Sequence, residues 1–272
     1  MKNRLVFLYI AMTALLSKHV AAQELFVYTE PASNMPAHSI GIRASQSFMS
    51  RQADKSPAYH FTPELMWGAG KNLMLHAEGF FSNREQRLTA EGIGFYGKYR
   101  FYTKDEVYRH FRLAAFGRVT YNNSPVGREE IELNGFNSGY QLGWIATQLL
   151  HKQALSSSLY FTQALDNAGG NKYPSIQPDK AINASISAGR LLLPKNYTGY
   201  GQTNVNIMAE LLWQHLIGSG KSYLDIAPSV QFIFNSQLRV DLGYRKELYG
   251  NLTRVSANGC ILRIEYLLFN AL

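Results

Sequence analysis

The stretch Phe111-Arg112-Leu113-Ala114-Ala115-Phe116-Gly117-Arg118-Val119-Thr120-Tyr121 decides the fold. In an extended chain successive side chains point to opposite faces. Phe111, Leu113, Ala115, Gly117, Val119 and Tyr121 therefore share one oily face, while Arg112, Ala114, Phe116, Arg118 and Thr120 share the other. A soluble β-sandwich also alternates, but its inner face must be an apolar core. Here one face is oily and the other carries charge. That is the pattern of a strand between lipid and a polar lumen.

Working outward, segments of about ten residues with the same alternation recur along the chain, separated by turns or polar loops. Strands are predicted at residues 38–49, 59–68, 72–82, 90–102, 109–121, 138–149, 153–164, 181–191, 203–214, 222–234, 238–247 and 258–268. The fold class is all-β: a single antiparallel up-and-down transmembrane barrel of about 12 strands spanning residues 38–272. Connections alternate in length, as expected for short periplasmic turns and longer external loops such as 122–137, 165–180 and 248–257. The connection Leu192 to Gln202 is long for a periplasmic turn and leaves counts of about 10 or 14 open.

Residues 1–22 read as a cleaved secretory signal: Lys2 and Arg4, an apolar run from Leu5 to Leu16, and Val20-Ala21-Ala22 before Gln23. The run is too short for a helical membrane span, and no uncharged apolar run of 18 or more follows it. Strands remain as the means of crossing a membrane. Residues 23–37 contain Pro31 and Pro36, which prevent continuous ladder pairing. They are read as a short N-terminal segment in the periplasm or tucked into the barrel mouth, too short to fill much of a twelve-stranded lumen.

Without Lys2, Arg4 and Lys18, the formal charge falls from +8 to +5, dispersed along the chain. No basic stripe supports nucleic-acid binding. The 17 Tyr, 15 Phe and 3 Trp suit girdles at the two lipid interfaces. Cys260, the lone cysteine, has no disulfide partner and is read as a small buried or lipid-facing residue.

The runs Phe26-Val27-Tyr28-Thr29-Glu30-Pro31-Ala32-Ser33-Asn34-Met35-Pro36, Pro63-Glu64-Leu65-Met66-Trp67-Gly68 and Lys221-Ser222-Tyr223-Leu224-Asp225-Ile226-Ala227-Pro228 resemble an uncharacterised group of Gram-negative outer-membrane proteins. More distantly, the mature chain is similar to outer-membrane transporters associated with the MetA pathway of phenol degradation. The first resemblance implies no activity. The second implies a small-molecule channel, on architecture rather than on any catalytic motif.

If the apolar positions face lipid, the lumen receives Arg43, His60, Glu64, His76, Glu78, Lys98, Arg100, Arg112, Arg118, Glu210, Asp225, Arg239, Asp241, Arg245, Arg263 and Glu265. Burying so many charges in a dry core would cost on the order of several kcal/mol each unless they were paired. Lys98, Arg100, Arg112 and Arg118 concentrate on neighbouring strands, where they either attract anions or brace the barrel by pairing with acids.

The hairpin around Ala69 to Lys71 is expected to set Trp67 opposite Leu73, Met66 opposite Met74 and Glu64 opposite His76. Met, His and carboxylate together suit a soft or borderline metal ion. No third ligand is fixed by spacing, however, and a Glu–His hydrogen bond is the expectation. No Gly-x-Ser-x-Gly element occurs, and no His lies in register with both a Ser and an acid, so no enzyme is expected. Gly218-Ser219-Gly220-Lys221-Ser222 lacks the first Gly of a phosphate loop, His215 standing in its place, and is read as a hairpin turn.

The functional expectation is an outer-membrane channel or small-molecule transporter of a Gram-negative bacterium, with a charged, mildly basic lumen. The alternative is a closed barrel with a structural, adhesive or assembly role, and a barrel hydrolase is disfavoured. Expected partners are the lipid bilayer and lipopolysaccharide, the barrel-assembly machinery and an unidentified small solute. No cofactor, metal or nucleic acid is expected.

Overall fold

The computed structural model describes residues 26–51, 57–83, 87–195, 199 and 201–271. The signal segment 1–22 lies outside them. Twelve strands follow one another: β1 (Ile40–Arg51), β2 (Pro57–Trp67), β3 (Leu73–Ser82), β4 (Thr89–Glu106), β5 (Arg109–Asn122), β6 (Ser138–Leu150), β7 (Gln153–Leu165), β8 (Lys180–Leu193), β9 (Asn204–Leu216), β10 (Ser222–Phe234), β11 (Leu238–Gly250) and β12 (Ser256–Leu268). Each pairs antiparallel with its sequence neighbours, and β1 pairs with β12 to close the barrel. Closure removes the free edges that an open sheet would expose.

The alternation that forms the strands also sorts their faces. Ile42, Leu65, Phe95, Val119, Leu142 and Leu242 are exposed on the outer surface, while Arg43, Glu78, Lys98, Thr120 and Asp241 are buried inside. Phe111, Leu113 and Val119, expected on the oily face, are exposed or half-buried, as are Leu238, Val240 and Leu242 on β11, and inner neighbours such as Arg112, Ala114, Arg239 and Asp241 are buried. Aromatic rings gather near both rims. Phe48 packs on Tyr59 near the C-terminal end of β1 and the N-terminal end of β2, and Tyr102 packs edge-on to Phe111 at the opposite rim, near the β4–β5 turn. Cys260 is exposed, on the lipid-facing side.

Two connections are shorter than the sequence reading placed them. Beyond a bulge between Arg100 and Tyr102, Thr103 to Glu106 continue pairing with Arg112 to Arg109, so the predicted turn 103–108 reduces to Val107 and Tyr108. Polar residues carry this hairpin past the oily belt. Similarly, β11 runs to Gly250 and takes residues expected in a loop. Gly218 and Gly220 have positive φ angles in the tight turn after β9, where no helix follows, so this segment is a hairpin turn and not a phosphate loop.

The β2–β3 register departs from expectation by two residues. Trp67 lies opposite Leu75, Met66 opposite His76 and Glu64 opposite Glu78. The cause is Gly68, which does not turn back toward β3: its N–H donates to Ser39 O, and its carbonyl accepts from His38 N. The connection is thereby lengthened. Because the shift is even, every side chain keeps its face, and Glu64 and His76 become diagonal neighbours on the inner wall.

Candidate functional site: the barrel interior

The interior is crossed by the N-terminal segment. Its backbone cannot join a ladder at Pro31 and Pro36, so its polar groups must find side chains. Glu210 on β9 accepts hydrogen bonds from Val27 N (2.9 Å), Tyr28 N (2.9 Å) and Thr29 Oγ1 (2.7 Å). Arg263 on β12 donates to the carbonyls of Phe26 and Val27 at 2.6 and 2.8 Å. Lys98 on β4 donates to the carbonyls of Pro31 and Ser33 at 2.7 and 2.8 Å, and Ala32 N donates to Thr147 Oγ1 on β6 at 2.8 Å. Arg112 on β5 reaches Ser33 Oγ at 2.8 Å. Phe26, Val27, Ala32, Ser33, Asn34 and Met35 are all buried. Sequence reasoning underestimated how much lumen this segment occupies, because its contacts reach strands on several sides of the barrel, from Glu210 on β9 and Arg263 on β12 to Lys98 on β4 and Thr147 on β6.

An ion-pair belt runs around the adjoining wall. Arg263 meets Asp241 at 2.7 Å, Asp241 meets Arg239 at 3.2 Å, and Arg239 meets Glu265 at 2.7 Å. Glu265 then meets Arg43 at 2.7 Å, Arg43 meets Glu64 at 3.2 Å, and Glu64 meets His76 Nδ1 at 3.4 Å. Arg118 meets Glu78 at 2.9 Å and lies 5.4 Å from the centre of the Tyr96 ring. Glu30 of the crossing segment joins this belt through Arg43 at 2.9 Å and Lys98 at 3.5 Å. The opposite wall, β6 to β9, is mainly uncharged: Thr147, Ser156, Thr162, Asn183, Ser185 and Gln214 face inward, with Glu210 as the exception.

Residues 123–137, the loop between β5 and β6, fold over the lumen from the rim opposite the β4–β5 turn. Gln214 both accepts from Ile131 N (3.1 Å) and donates to Ile131 O (2.9 Å), and Arg118 donates to Asn134 Oδ1 at 2.5 Å. Glu130 meets Arg254 at 3.0 Å, and Arg254 pairs with Asp225 at 2.8 Å while its guanidinium stacks 3.8 Å from the Tyr223 ring centre. Arg245 completes the cluster at 2.5 Å from Asp225. Burial, reinforced by neighbouring Glu130, pushes the Glu132 carboxyl up from its ordinary range. At the rim, the Lys221 ammonium and the Thr253 N–H hold the Glu129 carboxyl below its ordinary range.

Between the crossing segment and this loop lie two cavities of about 190 and 210 Å³, both bordered by Tyr28, Thr29, Glu30, Arg118, Glu132, Asn134 and Arg245. The first extends toward the neutral wall, with Tyr96, Phe116, Tyr160 and Tyr223 among its borders. The second extends toward the ion-pair belt, with His60, Glu64 and Glu78.

All the sequence-predicted lumen residues point inward, but they do not form one site. Arg100 is held at the periplasmic end by Lys71 O at 2.7 Å and Asn72 Oδ1 at 3.3 Å, and Arg112 also lies 3.6 Å from Asp105. The sequence reading missed Glu30, Glu130, Glu132 and Arg254, acids and a base lying on a segment and loops where strand alternation gives no direction. Together these three acids and one base carry a net −2, which cancels the excess of eight bases over six acids among the predicted lumen residues.

No protein-family model matches the chain, and no curated protein matches it in sequence. Among solved structures, it is similar to an outer-membrane channel of Pseudomonas putida F1, with a TM-score of 0.56, 11% identity, and coverage of 89% of this chain and 100% of that one. The NanC porin gives a TM-score of 0.49 at 10% identity, covering 85% of this chain and 98% of that one. At such identity the likeness to the first speaks for the fold alone, a closed antiparallel β-barrel. The resemblance to MetA-pathway transporters has no counterpart in these comparisons.

Proposed function

We propose that this chain is an outer-membrane channel for small polar solutes, with a central chamber closed below by residues 26–36 and above by loop 123–137. The observation that carries this reading is the pair of cavities of about 190 and 210 Å³ among charged and hydroxyl-bearing side chains at mid-barrel. A barrel built only as a scaffold gains nothing from polar voids, because interiors without function pack close to crystal density. Passage requires both the crossing segment and the loop to move aside. Their contacts combine hydrogen bonds and ion pairs, which water can replace, with apolar anchors that must part as the solute enters: Phe26 and Val27 on Ala154 and Met208, Met35 on Met66 and Met74, and Ile131 and Leu133 on Leu216, Tyr223 and Leu252.

Selectivity follows from where charge is left over. Around the chamber, acids and bases are closely matched, so it favours neutral or zwitterionic solutes. At the periplasmic end Lys98, Arg100 and Arg112 outnumber nearby acids and give a mild preference for anions at low salt. Proteoliposome swelling tests the reading: small amino acids should enter and a disaccharide should enter far more slowly. Equal impermeability to both in vesicles holding folded barrel would favour the closed structural alternative, which the dense anchoring of residues 26–35 otherwise supports.

A further inference from the structure

The two-residue register shift between β2 and β3 places two carboxylates, Glu64 and Glu78, directly opposite each other on the inner wall, with His76 on the diagonal. Like charges so placed repel, and each is partly offset by one guanidinium, Arg43 at 3.2 Å from Glu64 and Arg118 at 2.9 Å from Glu78. One ligand atom from each of the three residues lies within 4.8 Å of the others. We propose that Glu64, His76 and Glu78 form a binding site for a borderline divalent cation, with zinc as its best-fitting ion.

Two features beyond the acidic pair point to a ligand. His76 and Glu78 are only 4% and 5% exposed, yet His76 Nε2 and Glu78 Oε2 have no hydrogen-bond partner among the described residues. Buried polar atoms without partners are uncommon and call for an explanation such as an ion. There is also room: Glu64 and Glu78 border the cavity of about 210 Å³, and Gly94, opposite Glu78 on β4, has no side chain to crowd Glu78 Oε2. One imidazole and two carboxylates match zinc's preference for nitrogen and oxygen donors. The open side of the cavity supplies a fourth position for water or a solute group.

The neighbouring guanidiniums do not block the site, because each has other partners. Arg43 keeps Glu265 at 2.7 Å and Glu30 at 2.9 Å if Glu64 turns to the metal. Arg118 keeps Asn134 at 2.5 Å and the face of Tyr96 if Glu78 does the same. Small side-chain rotations must bring the donors from 4.8 Å to the roughly 3.4 Å that two zinc bonds subtend.

The test is zinc binding to the refolded, chelator-treated full barrel in detergent, by competition with a chromophoric chelator, with folding checked by heat-modifiable electrophoretic mobility. Wild type should bind one equivalent. His76→Ala and Glu78→Gln should weaken binding at least tenfold, Glu64→Gln should also weaken it, and the His110→Ala, His151→Ala double variant at the periplasmic rim should bind as wild type. Cobalt substitution should give the visible spectrum of a four-coordinate nitrogen–oxygen site. Absence of binding by folded wild type, or binding that survives both His76→Ala and Glu78→Gln, overturns the assignment. A response to silver but not to zinc or cobalt would overturn it too, placing the ion on the nearby Met66 and Met74 thioethers instead.

Discussion

Glu210→Ala should release the crossing segment while leaving the barrel closed. In the wild type the buried Glu210 carboxylate accepts from two backbone amides, Val27 N and Tyr28 N, both at 2.9 Å, and from Thr29 Oγ1 at 2.7 Å. Alanine leaves both amides without their acceptor inside the lumen. Each unsatisfied buried donor costs about 1–3 kcal/mol, so docking weakens by roughly 2–6 kcal/mol. At about 1.4 kcal/mol per factor of ten, hydrogen exchange at Val27 and Tyr28 should accelerate by roughly 30-fold to roughly ten-thousandfold. Glu210→Gln, which keeps one acceptor oxygen, should fall between. The strand ladder does not use this side chain, so exchange in β9 and β10 should hardly change. Unchanged protection at Val27 and Tyr28 would refute the reasoning. So would equal acceleration throughout β9, which would make Glu210 a brace of the wall and not an anchor of the segment.

Three further outcomes follow from the same structure. Val240→Arg, on the lipid face between Phe232 and Ile264, should cost about 2–4 kcal/mol in a refolding titration. Ser158→Arg, pointing into the 190 Å³ cavity, should cost clearly less, and equal losses would contradict the assigned faces. The Arg100→Ala, Arg112→Ala double variant should abolish a low-salt anion preference in reversal-potential measurements; a wild type that prefers cations would remove the periplasmic basic cluster as a selectivity element. At the outer rim, Glu129 has a lowered folded-state pKa, so its bonds to Lys221 and Thr253 are fully present above the ordinary carboxylate range. They are lost as pH falls through the lowered value. The protection factor of the Thr253 amide, corrected for intrinsic exchange, should drop on acidification in wild type and stay low and flat in Glu129→Gln.

The faces of the strands were legible in the sequence; their partners were legible only in part. Alternation says which side of the sheet a residue occupies, and it repeats every two residues, so a shift of two leaves no trace in the pattern. This is why Glu64 and His76 were placed correctly on the inner wall, yet Glu78 was not seen to stand opposite Glu64. Gly68 settles that register through a bond to Ser39, which lies just before β1, far from the hairpin in sequence. The N-terminal segment was legible as something other than a strand, from Pro31 and Pro36. Its destination depends on acceptors and donors spread over β1, β4, β5, β6, β9 and β12. The one local signal was Glu30, a lone acid between Thr29 and Pro31 that has to find a cation when buried. For the loops, Glu130-Ile131-Glu132-Leu133 alternates like a strand but lies outside the ladder, so nothing local reveals that Ile131 and Leu133 turn down into the barrel.

Single-channel recording from the full chain in planar bilayers tests the central claim most directly. The account expects wild type to show discrete, infrequent openings, and Glu210→Ala to open more often, because loosening residues 27–29 weakens one of the two closures while loop 123–137 keeps the other. Silence from both proteins, with both shown to be folded and inserted, would contradict the channel reading and leave a closed barrel whose N-terminal segment serves as internal bracing.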